Sequence, residues 1–305
     1  MPTIRFSSVK LRGSSLAVIA QANVIIDEFA AMGFTLTLRQ LYYQFVSRDW
    51  IANKQSEYKR LGSIINDGRL AGLIDWNAIE DRGRNLQSSA SWESPSEIIG
   101  ACAHQFRYNL WEDQRHYVEV WVEKEALIGV IAVPCNTWRV PHFACKGYTS
   151  QSEMWDAGYN RLRRQTRNGK QITILHLGDH DPSGIDMTRD ITERLTLFVG
   201  RPVEVIRLAL NMEQVERYQP PPNPAKTTDS RFDGYATEYG EDSWELDALS
   251  PNVIAELIEA EIEERLEREL WNESRAREDR AKEHLRRIAQ RYSDVIEFLA
   301  DTATY

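Results

Sequence analysis

Cysteine is scarce in this sequence, and the residues present are not spaced like a disulfide framework or a zinc site. Cys102, Cys135 and Cys145 are odd in number and include no C-x-x-C pair. This pattern argues against a disulfide-stapled secreted domain and against a structural zinc site. It favours a protein of the reducing cytoplasm.

Long hydrophobic runs are also missing. The longest, at 126–135, is much shorter than the roughly 20 apolar residues that cross a bilayer, and a proline, Pro134, lies at its end. The first residues contain no apolar segment of the kind found in secretion signals. We therefore expect a cytoplasmic protein with no membrane partner, associated with the nucleoid in a prokaryotic or viral context. No GxxxxGK[ST] phosphate loop occurs, which argues against that class of nucleotide hydrolase.

Positive charge is scarce as well. The chain of 305 residues has 37 Lys and Arg against 46 Asp and Glu, a net charge of −9. The charges nearly balance over residues 1–115, and the acidic excess lies in the rest of the chain. No region is basic enough to indicate nucleic-acid binding by charge alone, so such a function has to be inferred from motifs.

The first 115 residues predict a helical domain of the winged-helix type. Thr37 and Gln40 match a capping box, in which each side chain binds a backbone N–H at the start of a helix. Helices followed by a hairpin are the order expected of a winged helix. The expected elements are helices over 14–32, 37–50 and 56–70 and a small hairpin formed by segments 72–76 and 82–84.

Residues 116–305 alternate instead between strands and helices, which indicates βαβ units and a parallel sheet. We therefore expect an α/β fold with two domains, 1–115 and 116–305. A charged segment over 250–300 predicts one long helix, whose narrow apolar stripe from Ile254 to Leu270 can pack on its own domain or on a second subunit. The expected strands are 117–122, 139–145, 172–177 and 203–208, with helices over 150–167 and 186–198 and a proline-rich loop over 219–229.

Three carboxylates are expected at one edge of this sheet. Asp179 and Asp181 follow the strand over 172–177, and Glu123 follows the strand over 117–122. Ligands of parallel sheets collect at the carboxyl ends of the strands, and magnesium accepts carboxylate oxygens. An Asp-rich turn or a helix N-cap explains the two aspartates alone equally well. Glu123 at the neighbouring strand end favours a magnesium site.

Two adjacent tyrosines lie on the helix that Thr37 opens. Tyr42 belongs to the apolar stripe of this helix and is expected in the core, whereas Tyr43 lies off the stripe, one turn after Arg39. An arginine in this position can hold a phosphate with two hydrogen bonds and favour the phenolate over the phenol, which suits attack on a phosphodiester. An ordinary, partly exposed tyrosine is the alternative on these residues alone.

In combination, these motifs resemble one superfamily. R-x-x-Y-Y at 39–43, V-E-K-E-A at 122–126 and G-D-x-D-P-x-G at 178–184 occur in the order found in the topoisomerase VI A subunit and the related meiotic double-strand-break protein. The similarity runs from about Thr37 to Leu210. The short chain is most similar to the small Mini-A forms that lack a B subunit, and the acidic C-terminal helix matches nothing in the family.

The resemblance implies a type IIB-like topoisomerase activity. Tyr43 is then the nucleophile that forms a 5′-phosphotyrosyl bond, and Arg39 assists it. Glu123, Asp179 and Asp181 are then the ligands of one or two Mg²⁺ ions in a Toprim domain. The resemblance also implies a homodimer on double-stranded DNA, in which the tyrosine of one protomer serves the metal site of the other. It leaves open whether an ATPase or accessory partner takes part.

Two other functions stay open from the residues themselves. The first is a Toprim nuclease that hydrolyses DNA with an activated water, and the second is a non-catalytic DNA-binding accessory protein. Lys54, Lys59, Arg60 and Arg69 lie on or beside the helix over 56–70 and are expected to contact DNA. The basic run at 161–170 can follow a DNA backbone or form a solvated helix end. Loop polarity or capping explains five further residues as well as a function does: Lys226, Asp229, Arg231, Glu245 and Asp247.

Overall fold

The computed structural model describes residues 3–79 and 91–302, and these residues form an α/β fold. The strands are β1 (His116–Val122), β2 (His142–Ala144), β3 (Gln171–Leu177), β4 (Glu204–Ala209), β5 (Asn223–Pro224) and β6 (Asp242–Ser243). The first four form a parallel sheet in the order β2-β1-β3-β4, and the last two form a small antiparallel ribbon. The predicted α/β class with a parallel sheet is confirmed.

The helices of the described residues connect and cover these strands. They are α1 (Gly13–Ala31), α2 (Leu38–Ser47), α3 (Gln55–Leu70), α4 (Pro95–Gln105), α5 (Ile128–Trp138), α6 (Gln151–Trp155), α7 (Arg163–Arg167), α8 (Pro182–Val199), α9 (Met212–Tyr218), α10 (Phe232–Tyr239), α11 (Pro251–Glu264), α12 (Arg268–Gln290) and α13 (Tyr292–Thr302). A π-helical segment, Asp156–Leu162, joins α6 to α7, and short 3-10 turns lie at Glu125–Leu127 and Leu246–Ala248.

The main sheet is buried on both faces, because its side chains alternate between two hydrophobic cores. Val118, Val120 and Val122 pack in the core that includes α5 and α11, whereas Trp121 packs in the core that includes α8. Parallel sheets covered on both faces are typical of α/β proteins. Val122 pairs with Leu177, so β1 and β3 end side by side and the residues after them share one edge.

The N-terminal helices form a separate hydrophobic cluster, to which Ile25, Leu41 and Phe45 belong. The capping box of Thr37 and Gln40 is present, and the three predicted helices are confirmed, the second of them ending three residues early at Ser47. The first segment of the predicted hairpin is a turn followed by an isolated bridge between Leu36 and Ile79. The second segment, 82–84, lies outside the described residues.

The prediction of one long C-terminal helix over 250–300 is wrong, because the segment is divided into α11, α12 and α13. At the first break, the Gln114 side chain binds both the backbone N–H and the carbonyl of Glu267, at 2.7 and 3.1 Å. These bonds satisfy backbone groups that a continuous helix would pair internally. After the break, Trp271 is buried against Trp111 and Trp138. The apolar stripe of α11 is buried in the chain's own core.

One described helix, α1, is long and apolar enough to cross a membrane by length and composition. Its buried face, which includes Ile19, Ile25 and Phe29, packs in the N-terminal cluster with α2 and α3. A buried core helix meets the same criteria of length and hydropathy, so this finding carries no argument for a membrane partner.

Candidate active site

The ends of β1 and β3 bring two of the predicted ligands together. The backbone N–H of Glu123 donates to the carbonyl of Leu177 at 2.8 Å, which continues the parallel pairing beyond the sheet. The backbone N–H of Asp179 then donates to the Glu123 carboxylate at 2.9 Å. Adjacent parallel strands thus place both acids at one edge, as the sequence indicated.

Asp181 has a structural role at the same edge. It is the N-cap of α8, and its Oδ1 accepts hydrogen bonds from the Gly184 N–H at 2.6 Å and the Ser183 hydroxyl at 2.9 Å. A Cβ on Gly184 would lie 2.1 Å from the Asp179 carbonyl oxygen, so only glycine fits there. Capping, one of the two alternatives to a metal site, therefore describes Asp181 in this structure.

Negative charge accumulates at this edge. Burial, and then the nearby Asp179 carboxylate, raise the pKa of Glu123 to about 7. Burial also raises the pKa of Asp179, although Lys124 opposes the shift. Among the described residues, no group of three or more His, Cys, Asp or Glu side chains is arranged to hold a metal ion. The three predicted ligands lie along one edge without closing around a common point.

Lys124 neutralises part of this charge. Its Nζ lies 2.8 Å from Asp179 Oδ2, 3.1 Å from Glu245 Oε2 and 3.9 Å from Asp247 Oδ2. Burial alone would lower the pKa of Lys124, but the three carboxylates raise it above its ordinary value. The ammonium group is therefore charged at neutral pH and links the end of β1 to the segment before α11.

Arg39 reaches the same segment from α2. Its Nη2 lies 2.5 Å from Glu245 Oε2, and its Nε lies 3.1 Å from Asp247 Oδ2. Arg39 and Lys124 thus share Glu245, which joins the tyrosine helix to the sheet edge within one chain. We call the six residues of this network the sheet-edge cluster: Arg39, Glu123, Lys124, Asp179, Glu245 and Asp247.

Tyr43 is buried beside this cluster, which corrects the expectation that it lies off the buried face of α2. Its exposed fraction is 4%, close to the 5% of Tyr42. Ala248, in the turn that follows Asp247, belongs to the same hydrophobic cluster as α2, so a distant segment covers the second face of this helix. The expectation that Tyr42 lies in the core is confirmed, and its hydroxyl donates to Asn53 Oδ1 at 3.0 Å.

The electrostatic surroundings keep Tyr43 protonated. Burial raises the pKa of its phenol, and the negative charge of the nearby Glu245 carboxylate raises the pKa further. Arg39 lowers the pKa of Tyr43, as the sequence suggested, but this effect is smaller than the other two. The arginine therefore does not produce a phenolate by itself in this arrangement.

Glu245 and Asp247 are site residues to which the sequence assigned no role. Burial would raise the pKa of Glu245, but Lys124 and Arg39 outweigh it and lower this pKa to about 2. Asp247 is buried, its Oδ1 has no hydrogen-bond partner in the described part of the chain, and burial raises its pKa. The only sequence signal was acidic residues inside an apolar stretch, W-E-L-D-A-L.

Two further polar residues support the loop that carries Asp179 and Asp181. Arg207 donates to the carbonyl oxygens of Asp179 at 2.6 Å and Gly184 at 2.8 Å, and burial lowers its pKa to about 10. His180 is buried, and its Nδ1 lies 2.7 Å from the Tyr235 hydroxyl. Burial lowers the pKa of His180 to about 4, so it is neutral at physiological pH.

The residues predicted to contact DNA are not all available for that role. Lys54 and Lys59 are exposed near or on α3, and Arg60 is exposed but pairs with Glu57 at 2.7 Å. Arg69 instead donates to the backbone carbonyls of Trp76 and Ile79, so it stabilises the turn after α3.

Several other candidates from the sequence lie in local contacts away from the sheet-edge cluster. In the basic run, Arg161 pairs with the buried Glu119 at 2.8 Å. Arg231 pairs with Asp186 at 3.0 Å and Asp229 at 3.2 Å, and the backbone N–H of Asp229 bonds to the carbonyl of Lys226. These contacts fit the alternatives of capping and loop polarity.

The site therefore combines a buried phenol, two cations that share one carboxylate, and a row of acids at the end of a parallel sheet. Such a set of groups can bind an anion at the cations and a cation at the acids. Neither a scan against protein-family models nor a search of curated proteins finds a match for this chain.

Proposed function

We propose that this protein cleaves DNA by magnesium-dependent transesterification at Tyr43, in the manner of the topoisomerase VI A subunit. The observation that carries the proposal is the contact of Arg39 and Lys124 with the same carboxylate, Glu245. Through this contact the helix that bears Tyr43 meets the acidic edge of the sheet. A nucleophile, cations for a phosphate and acids for a metal ion are the groups that this reaction requires.

The proposed reaction exchanges one phosphate ester for another. The phenol oxygen of Tyr43 attacks a DNA phosphorus atom, and the bond from phosphorus to the 3′ oxygen breaks. The phenol gives up a proton and the departing 3′ oxygen gains one, so a free 3′-hydroxyl forms and no proton is consumed overall. The 5′ end stays bound as a phosphotyrosyl ester, which conserves the bond and makes the step reversible without ATP. Arg39 orients the phosphate oxygens through its planar guanidinium.

Glu123, Asp179 and Asp181 are proposed to hold one or two Mg²⁺ ions. The fit rests on charge, because burial and the neighbouring acids raise the pKa of Glu123, and a cation at this edge would relieve that repulsion. Carboxylate oxygens are also the ligands that magnesium accepts. When bound, the ion would stabilise negative charge on the phosphoryl oxygens in the transition state.

We assign residues 1–115 to a winged-helix domain and residues 116–305 to a Toprim-type domain. Three N-terminal helices that pack in one hydrophobic cluster support the first assignment. A parallel sheet with acids at the carboxyl ends of adjacent strands supports the second. The exposed Lys54, Lys59 and Arg60 near α3 are proposed to contact the DNA backbone.

The proposed active unit is a homodimer, because duplex DNA has two antiparallel strands related by a two-fold axis. The resemblance implies sites shared between protomers, whereas in this structure Arg39 and Lys124 bring the tyrosine helix to the acidic edge of its own chain. A mixture of two inactive variants distinguishes the two arrangements. If Tyr43→Phe and Asp179→Ala subunits exchange, a mixed dimer with shared sites contains one intact site, and single-strand nicking returns. A mixture that stays inactive after exchange has been shown by mass spectrometry contradicts shared sites.

The test of the proposed chemistry uses supercoiled plasmid and magnesium. The reaction is stopped with detergent, and the products are compared on gels with and without protease treatment. We expect cleaved DNA whose 5′ ends carry protein and which enters the gel fully only after protease digestion. Cleaved DNA with free 5′ ends before protease treatment contradicts transesterification.

The raised pKa of Tyr43 favours one second candidate, a nuclease that hydrolyses DNA with water at the same acidic edge. A protonated phenol is a weak nucleophile, whereas a metal-bound water does not need the tyrosine. In the plasmid test this nuclease gives magnesium-dependent cleavage that protease treatment leaves unchanged. Tyr43→Phe would then cleave like the unaltered protein.

A further inference from the structure

One oxygen atom of Glu245 is surrounded by hydrogen-bond donors from two separate parts of the chain. Arg39 Nη2 on α2 lies 2.5 Å from Oε2, and Lys124 Nζ after β1 lies 3.1 Å from the same atom. The guanidinium of Arg39 also lies over the Tyr43 ring, 5.9 Å from its centre. These three side chains form a cradle for an anion, which we call the anion cradle, and Glu245 is its present occupant.

The backbone on both sides of Glu245 is fixed, whereas its side chain reaches solvent. Trp244 exchanges two backbone hydrogen bonds with His180, at 2.8 and 2.9 Å. The N–H of Leu246 donates to Asp179 Oδ1 at 2.8 Å, and Leu246 is fully buried. The Glu245 side chain itself is 27% exposed. It can therefore leave the cradle by rotating about its own bonds, with the segment held in place.

The donors of the cradle suit a phosphodiester as well as a carboxylate. Arg39 offers a planar fork that matches phosphate oxygens, and Lys124 adds a compact positive charge. A phosphodiester carries one negative charge, so it would replace the charge of Glu245 one for one. A phosphate held by Arg39 and Lys124 would lie next to the hydroxyl of Tyr43, as nucleophilic attack on phosphorus requires.

We infer that Arg39, Lys124 and Tyr43 bind the scissile phosphate of DNA, and that Glu245 fills this anion cradle until DNA displaces it. The inference rests on the proposed function for the identity of the anion as DNA. It assigns Lys124 as a phosphate-binding residue and makes Glu245 an internal competitor of the substrate. With a competitor of this kind, the apparent affinity for DNA equals the intrinsic affinity multiplied by the fraction of molecules in which the cradle is empty.

The test measures equilibrium binding of a fluorescently labelled DNA duplex in EDTA, where metal-dependent cleavage does not contribute. Glu245→Gln keeps the shape of the side chain and removes its charge, so we expect binding to tighten about tenfold. Glu241→Gln removes one charge from an exposed position on the same segment, and we expect a change of less than about twofold, as for a distant surface charge. Lys124→Gln should weaken binding and reduce the gain from Glu245→Gln in the double variant, in which Arg39 alone remains as a cation of the cradle.

Equal effects of Glu245→Gln and Glu241→Gln would overturn the inference, since the gain would then reflect net charge alone. A full gain from Glu245→Gln in the Lys124→Gln background would overturn it as well. Failure of the proposed chemistry gives a different pattern: Glu245→Gln tightens binding, yet no covalent adduct forms with magnesium. If covalent adducts form but Glu245→Gln binds DNA no more tightly than the unaltered protein, Glu245 does not compete with DNA, and the proposed transesterase activity still stands.

Discussion

Two buried ionic clusters of this protein differ in how their charges balance. In the first, which we call the C-terminal cluster, Glu278 on α12 binds Arg139 through two hydrogen bonds of 3.0 and 3.2 Å. It also accepts from Lys282 and from the backbone N–H of Tyr108. Burial would raise the pKa of Glu278, but these donors outweigh it and lower the pKa to about 2.

The sheet-edge cluster is balanced differently, since three carboxylates share the cations Lys124 and Arg39 and a fourth carboxylate, Glu123, lies beside them. Glu123 has a raised pKa, and Asp247 keeps a buried oxygen that has no partner among the residues described. Removing one partner from a buried, fully paired ionic cluster costs stability, whereas removing one charge from a buried excess of like charge can increase it. Proteins retain such unfavourable groups mainly at functional sites. Variants of the two clusters should therefore separate activity from stability.

The largest effect is expected for activity at the sheet edge. Asp179→Asn and Glu123→Gln should each reduce magnesium-dependent plasmid cleavage on the order of a thousandfold, because each removes a carboxylate that we propose as a ligand of the metal ion. Initial cleavage rates on plasmid measure the effect, with EDTA as the comparison. Asp233→Asn, which removes an exposed acid from α10, is the matched control and should keep normal activity. Normal rates for both sheet-edge variants would exclude this edge as the metal site.

The next effect is expected for stability in the C-terminal cluster. Glu278→Ala should lower the free energy of unfolding by about 3 kcal/mol, since it removes the buried carboxylate that binds the half-buried Arg139 and Lys282. Urea unfolding followed by circular dichroism measures the loss. Glu283→Ala on the exposed side of the same helix should cost less than about 1 kcal/mol. Equal losses for the two variants would show that the C-terminal cluster contributes no more than a surface ion pair.

A smaller effect on stability, a gain rather than a loss, is expected for Glu123→Gln. The pKa of Glu123 in the folded protein is raised to about 7 from its ordinary 4.5. Between these two pH values the folded protein therefore binds more protons than the unfolded chain. The free energy of unfolding falls as the pH rises through this range. At pH 8 without metal, Glu123→Gln should therefore be more stable by about 2 kcal/mol. The gain should vanish below pH 4.5. A variant that is less stable than the unaltered protein at pH 8 would contradict a charge excess at the sheet edge.

The sequence predicted the sheet edge well because the relevant signals are local. Each strand of alternating or continuous apolar residues ends where polar residues begin, so the positions of Glu123 and Asp179 follow from where β1 and β3 stop. The direct pairing of β1 with β3 does not follow from chain order, because β2 lies between them in the sequence and pairs with the other side of β1. The capping box at Thr37 and the proline-led start of α8 are also local signals.

The burial of Tyr43 and the role of Glu245 were not predictable in the same way. Both depend on the segment before α11 folding back onto α2, and the contact between Arg39 and Glu245 spans 206 residues. No periodicity in either segment indicates that the two segments pack together. The break between α11 and α12 was missed for a related reason. Its residues, Arg265 to Glu267, favour helix, and the break depends on the distant Gln114 side chain.

The most direct measurement of the central claim identifies the residue that becomes attached to DNA. Duplex DNA is incubated with the protein and magnesium, trapped with denaturant and digested with nuclease and protease, and the remaining phosphotyrosyl peptide is located by mass spectrometry. Tyr42→Phe and Tyr43→Phe form a matched pair of variants, because each removes one hydroxyl from a buried ring of α2. We expect the modification on Tyr43, an unchanged adduct yield with Tyr42→Phe and none with Tyr43→Phe. Normal adduct formation by Tyr43→Phe would contradict the assignment of Tyr43 as the nucleophile.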